Sequence, residues 1–243
     1  MDKKTFNEYL ILRTFPTDIR FIAMMNVLFF SDLLGFLPLL GIPRLPFFIN
    51  LAIIPVIILN IWLLVYIIAP YRFELSFTLF QGVWGVLTSF LYFLVTQKFL
   101  YNILHFETLL FFYLGLALYL ISVSGVIIIQ HLSINGKIKI PEGPGAWTKW
   151  IAIVPGFSYV FGQMIFSIIK SDDIKALIFV GCILGAMIFP ILFVKLLHQY
   201  FFFIKNKDAL LAKYPTLNKP KKERIFQKRP KNSKSHKRKK QSK

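Results

Sequence analysis

The chain has 243 residues, of which 56% are hydrophobic and 16% are charged, and its formal net charge is +18. Soluble domains average roughly 45–50% apolar and about 25% charged residues. The 29 basic and 11 acidic residues are too few to cover the apolar surface of a soluble fold of this composition. The composition therefore excludes a soluble globular enzyme, a disordered chain, a disulfide scaffold and a coiled coil, and it predicts a membrane protein.

The positive charge is concentrated at the C-terminal end of the chain. Residues 198–243 hold 16 Lys or Arg side chains against Asp208 and Glu223, so they carry +14 of the net charge of +18. Lys outnumbers Arg 22 to 7, a usage typical of AT-rich bacterial genomes. Cys182 is the single cysteine, which excludes an intramolecular disulfide and a cysteine metal cluster.

Six stretches are long and apolar enough to cross a membrane, since a hydrocarbon core of about 30 Å needs roughly 20 residues of helix. In chain order they are 21–40, 47–69, 75–96, 108–129, 150–169 and 176–197. Backbone polar groups in lipid must be satisfied within the segment, and the apolar runs are continuous rather than alternating. The predicted fold is therefore all-α: a polytopic bundle of six transmembrane helices over 21–204.

The basic residues orient this bundle, because cytoplasmic loops carry an excess of Lys and Arg. With the N-terminus inside, the inner segments before the tail hold Lys3, Lys4, Arg13, Arg20, Arg72, Lys137, Lys139 and Lys149. The outer loops then hold Arg44, Lys98, Lys170 and Lys175. The sequence therefore predicts a multi-pass protein of the cell membrane with both termini cytoplasmic.

The first and second spans are joined by Gly41-Ile-Pro-Arg-Leu-Pro46. Proline fixes φ and cannot donate a hydrogen bond to a continuing helix. The stretch predicts a tight turn, and the alternative is a re-entrant dip that holds Arg44.

The two ends of the chain differ in character. Residues 1–20 form a cytoplasmic segment in which Phe6, Tyr9, Leu10 and Arg13 have helical spacing, which favours either an interfacial helix or a lead-in to the first span. Residues 205–243 lack the apolar content that offsets ordering entropy, so this basic tail is predicted to be largely disordered. The predicted partners of the tail are anionic lipid headgroups, with nucleic acid such as the ribosome, or an acidic protein, as alternatives.

Asp32 lies near the middle of the first span, and a carboxylate there costs about 2.5–3.5 kcal/mol on insertion scales. Gly35 and Pro38 follow within two turns and favour a kink. Two interpretations stay open for Asp32: a site for a proton or cation, or a protonated carboxyl that hydrogen-bonds a neighbouring helix.

Other residues of the spans suggest contacts rather than chemistry. Asn60 and Gln163 lie near mid-depth, where amides join helices by hydrogen bonds, and with Asp32 they form the speculative substrate or ion site. Lys195 is predicted to reach the cytoplasmic interface. The remaining predictions are helix packing at Gly181 and Gly185, which match GxxxG, and interfacial rings at Trp147 and Trp150.

The sequence predicts no enzyme, no cofactor and no metal site. It contains no GxSxG, HExxH, P-loop or dinucleotide glycine motif. The close pair His105 and Glu107 supplies two ligands where zinc needs at least three from the protein. His131 and His198 both approach the cytoplasmic surface, so lipid-headgroup chemistry stays an alternative.

The expected function is that of a non-catalytic integral membrane protein that binds membrane or secreted partners, in an immunity, accessory or assembly role. The alternative is a small transporter or ion-coupled carrier that uses Asp32. Similar tetrapeptides at Ala52 and Ala152, in spans of opposite direction, are compatible with the inverted repeats of transporters.

Overall fold

The secondary structure of the described part of the chain is helical, without strands. The computed structural model describes residues 6, 9–12, 14–104, 108–134 and 172–223. Its elements are α1 (Pro16–Met24), a π-helical segment (Met25–Phe36), α2 (Leu37–Leu40), α3 (Pro46–Ile68), α4 (Glu74–Leu104), α5 (Leu110–Ile134), α6 (Asp172–Ile191), a 3₁₀ turn (Leu192–Val194), α7 (Lys195–Lys205), α8 (Lys207–Lys213) and a final 3₁₀ turn (Lys221–Glu223).

Five helical stretches among the described residues are long and apolar enough to cross a membrane. They are Pro16–Leu40, Pro46–Ile68, Glu74–Asn102, Leu110–Leu132 and Ile183–Lys205. These stretches correspond to the first four predicted spans and the sixth. The predicted fifth span, 150–169, lies outside the described residues.

Helix α4 is the centre of the bundle. Every residue from Leu91 to Lys98 is buried. Helices α6 and α7 run antiparallel to it and approach closely at two glycines of α4. A Cβ at Gly82 would lie 2.8 Å from Leu197, and one at Gly85 would lie 2.5 Å from the carbonyl oxygen of Pro190. The absence of side chains at these positions lets the helix backbones meet.

Contacts between the helices show which end of the bundle each helix terminus occupies. Helix α5 packs antiparallel to α4, with Phe112 near Tyr101 and Gln130 near the N-terminal Tyr9. Since α6 also runs antiparallel to α4, Ile134 and Asp172 lie at opposite ends of the bundle.

Helix α4 is longer than its predicted span, 75–96, and this corrects the placement of Lys98. The outer loop was predicted to hold Lys98, but the residue lies within α4 and is 1% exposed. The stretch from Gln97 to Leu104 contains neither Gly nor Pro, so nothing in it stops the helix.

The start of the basic tail also differs from the prediction of disorder for 205–243. Residues 206–223 contain α8 and a 3₁₀ turn, and Leu210 and Leu217 are buried with Leu10 and Leu75. The side chain of Asn218 accepts a hydrogen bond from the Leu75 N–H at 3.1 Å. A few leucines therefore suffice to fold this part of the tail onto the bundle, and residues 224–243 lie outside the described part of the chain.

The N-terminal segment packs against the last helix. The Leu10 N–H bonds to the Phe6 carbonyl at 3.2 Å, which is one helical turn. Tyr9 meets the ring of Phe202 edge-on at 4.9 Å between centroids. These contacts hold residues 6 and 9–12 on α7, whereas the predicted alternatives were an interfacial helix and a lead-in to the first span.

Candidate functional site

Asp32 and Asn60 meet between the first two membrane-length helices. The Asn60 side-chain N–H group lies 3.2 Å and 3.1 Å from the two carboxyl oxygens of Asp32. It also lies 3.0 Å from the Val56 carbonyl, one turn earlier in α3. Both side chains are half-buried. The pair thus links two helices through the predicted mid-depth residues, in the manner of the interhelical bonds expected for amides in a bilayer.

Asp32 lies in the π-helical segment, where each N–H bonds five residues back. The Leu37 N–H, for example, bonds to the Asp32 carbonyl, and regular α-helix resumes at Leu37. Pro38 has no N–H to offer and follows directly. The change from π to α geometry therefore falls between the two residues, Gly35 and Pro38, at which a kink was predicted.

A buried polar network lies behind the Asp32 pair. The Trp84 indole N–H of α4 donates to the Asn26 carbonyl at 2.8 Å and to the Ser31 hydroxyl at 3.0 Å. The Ser31 hydroxyl lies 2.6 Å from that of Thr88. All four residues are buried. The network fastens the π-helical segment to α4 by bonds between polar groups that lipid cannot satisfy.

Lys98 of α4 binds the C-terminal end of the first membrane-length helix. Its Nζ donates to the backbone carbonyls of Pro38 at 2.8 Å, Leu39 at 3.0 Å and Gly41 at 2.6 Å. The last carbonyls of a helix have no partner within it and carry partial negative charge. A buried ammonium with three N–H donors satisfies them, so Lys98 acts as a cap supplied by another helix.

A second polar cluster lies at the end of the bundle opposite Lys98, where the N-terminal segment, α5 and α7 meet. The Tyr9 hydroxyl lies 3.1 Å from His198 Nδ1 and accepts a hydrogen bond from the Gln130 amide at 3.2 Å. His131 Nδ1 lies 3.4 Å from His198 Nε2. Gln199 donates to two backbone carbonyls of the N-terminal segment and is buried.

A small cleft opens beside this second polar cluster. Its polar lining includes the buried side chains of Glu74, Gln81 and Gln199, with Phe77 and Phe203 as apolar walls. Among the described residues, no group of three or more His, Cys, Asp or Glu side chains is arranged to hold a metal ion.

The remaining predicted residues fall into two groups. Gln163, Trp147 and Trp150 lie outside the described residues, as does the close pair of 105 and 107. Lys195 is half-buried at the start of α7, which continues to Lys205, and its place at the membrane interface stays a prediction.

Gly181 and Gly185 lie on an exposed face of α6 within the described part of the chain. No described atom outside the helix lies within 4 Å of a Cβ built at either glycine. Packing at GxxxG therefore stays a prediction. The close contacts of α6 and α7 come instead at Gly82 and Gly85 of α4.

The sequence placed Asp32 and Asn60 in one speculative site without predicting a direct bond between them, and it gave no sign of Ser31, Trp84 or Thr88. The sequence does contain a signal for the two contacts between Asn60 and the carboxyl oxygens of Asp32. Asp32 and Asn60 occupy mid-depth positions in adjacent antiparallel spans, and leaving either unpaired in lipid is costly. The polar residues of 81–98, in an otherwise apolar helix, indicate a span that faces protein.

No protein-family model, curated protein or solved structure matches this chain. The interpretation of both polar clusters therefore follows from their own geometry.

Proposed function

We propose that this chain is a non-catalytic, multi-pass protein of the cell membrane that acts by binding membrane or secreted partners, in an immunity, accessory or assembly role. The observation that carries the proposal is the engagement of Asp32. Both of its carboxyl oxygens lie within hydrogen-bond distance of the Asn60 amide, so this acid joins two helices. A carboxyl used in this way maintains the bundle rather than presenting itself to a transported ion.

The distribution of polar groups supports the same proposal. Among the described spans, polar side chains such as Trp84, Thr88 and Lys98 turn inward and bond to neighbouring helices. Apolar side chains such as Leu118 and Ile121 of α5 are exposed. A bundle of this kind presents an apolar surface on which a partner within the bilayer packs by shape.

A photo-crosslinking experiment in native membranes tests the binding role. A photoreactive residue is placed at Leu118 or Ile121, which are exposed, and at Leu91, which is buried and serves as the matched control. We expect one protein to be captured at both exposed positions and not at position 91. Capture of lipid alone at the exposed positions would contradict a protein partner on this face.

The alternative, a carrier that uses Asp32, has one observation in its favour. Asp32 lies in a π-helical segment of 12 residues, and π-helical turns occur frequently at functional sites. Reconstitution into proteoliposomes separates the two functions. We expect no flux of protons, Na⁺ or K⁺ above that of protein-free vesicles. Flux that is lost in Asp32→Asn but kept in Asp18→Asn, an exposed acid outside the bundle core, would establish the carrier.

We infer that both termini lie in the cytoplasm. Tyr9, Gln130 and Gln199 meet at one end of the bundle, which supports placing the N-terminus and the inner end of the last helix on the same side. In a Cys182→Ser background, a membrane-impermeant maleimide should label Arg44→Cys in intact cells. It should label Asp208→Cys only after permeabilisation. The reverse pattern would invert the orientation.

We infer that the tail binds anionic lipid headgroups. Residues 219–243 carry 13 basic side chains against one acid, and each base near an anionic surface contributes about 1 kcal/mol. The full chain and a variant ending at 218 are compared in flotation with anionic and neutral liposomes and in pull-down of ribosomes and RNA. Selective, tail-dependent contact with anionic lipid is the expected result. Tail-dependent binding of ribosomes in preference to lipid would favour the nucleic-acid alternative.

A further inference from the structure

The bond to Asn60 leaves most of the acceptor capacity of the Asp32 carboxyl group unused. A side-chain amide carries two N–H hydrogens. The Asn60 amide directs one to the Val56 carbonyl at 3.0 Å, so the two Asp32 oxygens, at 3.2 Å and 3.1 Å, share the other. An ionised carboxyl group accepts about four hydrogen bonds. Among the described residues no other group bonds to this side chain, so its remaining lone pairs lack a donor.

The pair lies at the outer surface of the bundle rather than in its core. Asp32 and Asn60 are both half-buried. Leu28 lies four residues before Asp32, and Ile57 and Leu64 lie three residues before and four after Asn60, and all three are exposed. Residues three or four apart share one side of a helix. These five residues form a continuous surface, the Asp32 face, from which the carboxyl group is reached from outside the bundle.

The sequence offers no basic residue near mid-depth to pair with Asp32. The stretches 21–40, 47–69, 75–96, 108–129 and 150–169 contain neither Lys nor Arg. Lys98 donates to three backbone carbonyls at the end of the first membrane-length helix, and Lys195 lies close to the end of 176–197. A second copy of the chain has the same spans and the same deficit. Because acids within membranes pair with bases, the complementary charge has to come from a different molecule.

We propose that the Asp32 face binds a transmembrane helix of another protein that carries a Lys or Arg near the middle of its span. This inference rests on the proposed binding role and names the chemistry of one partner. A lone carboxylate and a lone base are each costly in lipid, and each offsets the cost of the other when they meet. Leu28, Ile57 and Leu64 supply apolar surface for the rest of the partner helix. Asn60 holds the carboxyl group in place and keeps its bond.

Model helices of known sequence test the charge requirement. The full chain, labelled at Asp208→Cys in a Cys182→Ser background, is reconstituted in phosphatidylcholine vesicles with a dye-labelled leucine-rich transmembrane peptide that has one central Lys. We expect energy transfer to show association about tenfold tighter than for the same peptide with a central Leu. Asp32→Asn should reduce binding of the Lys peptide to the level of the Leu peptide. Asp18→Asn, at an exposed acid, should leave it unchanged.

Photo-crosslinking in native membranes locates the contact. A photoreactive residue is placed at Ile57 or Leu64, which are exposed, and at Leu59, which is buried in the same helix and serves as the matched control. We expect both exposed positions, and not position 59, to capture a protein that has Lys or Arg in the central third of a transmembrane span. Capture should fall at least about fivefold in Asp32→Asn, and size-exclusion elution shows that this variant keeps its fold.

Four results would overturn the proposal. They are equal association of the Lys and Leu peptides, undiminished capture in folded Asp32→Asn, capture only of lipid or of the same chain at Ile57 and Leu64, and a captured protein whose spans lack Lys and Arg. The binding role itself is judged separately at Leu118 and Ile121 of α5. Protein capture there, with none on the Asp32 face, would keep that role and reject this contact, whereas absence of capture on both faces would reject both.

Discussion

Helices α4 and α5 are neighbours of similar length, yet they occupy opposite situations. Of the most apolar 18-residue stretch in each, 67% is buried in α4 and 11% in α5, within the described residues. The buried helix is the more polar one: Gln81, Thr88 and Thr96 of α4 face the interior. Exposed positions of α5 are mostly Leu, Ile and Phe.

Helices α4 and α5 show the opposite of the pattern in soluble proteins, where apolar side chains are buried and polar ones are exposed. In water, apolar side chains are driven inward, whereas lipid is as apolar as leucine and supplies no such force. Polar side chains then become the groups that must find partners within the protein. The polar residues of α4 therefore specify which of the described helices is central, and α5 presents an apolar surface.

Lys98→Met should have the largest effect on stability. The change keeps an apolar stem in α4 but removes the ammonium that three carbonyls accept from. Hydrogen bonds to a charged group contribute about 1.5–3 kcal/mol, so we expect a loss of about 3 kcal/mol. Thermal unfolding in detergent, followed by tryptophan fluorescence, measures it. Arg44→Met in the exposed connection is the control, and equal effects of the two would remove the capping role of Lys98.

Gly85→Ala compared with Gly125→Ala tests the difference between α4 and α5 directly. A Cβ at Gly85 would lie 2.5 Å from the Pro190 carbonyl oxygen, and overpacking of this kind costs about 1–3 kcal/mol. No described atom beyond the helix lies within 4 Å of a Cβ at Gly125, so that change should leave the unfolding temperature nearly unaltered. Destabilisation by both substitutions would mean that α5 is packed against a further helix.

Tyr92→Phe and Tyr113→Phe extend the test to single hydroxyl groups. Tyr92 of α4 is 2% exposed and donates to the Phe30 carbonyl at 3.0 Å, whereas Tyr113 of α5 is 60% exposed. Losing one buried hydrogen bond costs about 1 kcal/mol. We expect that loss for Tyr92→Phe and almost none for Tyr113→Phe, measured by the same unfolding assay.

Much of the helical plan could be predicted from the sequence, because continuous apolar runs in lipid have few alternatives to helix. The first, second and fourth described spans agree with 21–40, 47–69 and 108–129 to within a few residues, apart from the lead-in that begins at Pro16. Mid-depth placement also singled out Asp32 and Asn60, although it did not pair them.

The remaining features depend on contacts between distant parts of the chain. From the sequence, Lys98 is predicted to lie in a loop. Its role depends on the C-terminal end of another helix, whose carbonyls it binds. His131 and His198 carry no local motif, since their proximity arises from the antiparallel packing of α5 and α7 around the N-terminus. The start of the tail folds because Leu210 and Leu217 pack in one cluster with Leu10. The average composition of residues 205–243 is too polar to indicate this contact.

Asp32→Asn should have the smallest effect on stability, and it bears on the choice between the proposed functions. An Asn at position 32 keeps one acceptor oxygen for the Asn60 amide, so the link between α3 and the π-helical segment persists. The amide also avoids the cost of a charge at mid-depth. We therefore expect a change within about 0.5 kcal/mol. Unfolding in detergent measures it, with Asn60→Leu as the comparison because that change removes the donor from both carboxyl oxygens. If Asp32 serves as a structural acceptor, Asn60→Leu is the more destabilising variant. If Asp32→Asn were instead the more destabilising of the two, the negative charge itself would be needed. That outcome would support the carrier alternative and count against the binding proposal.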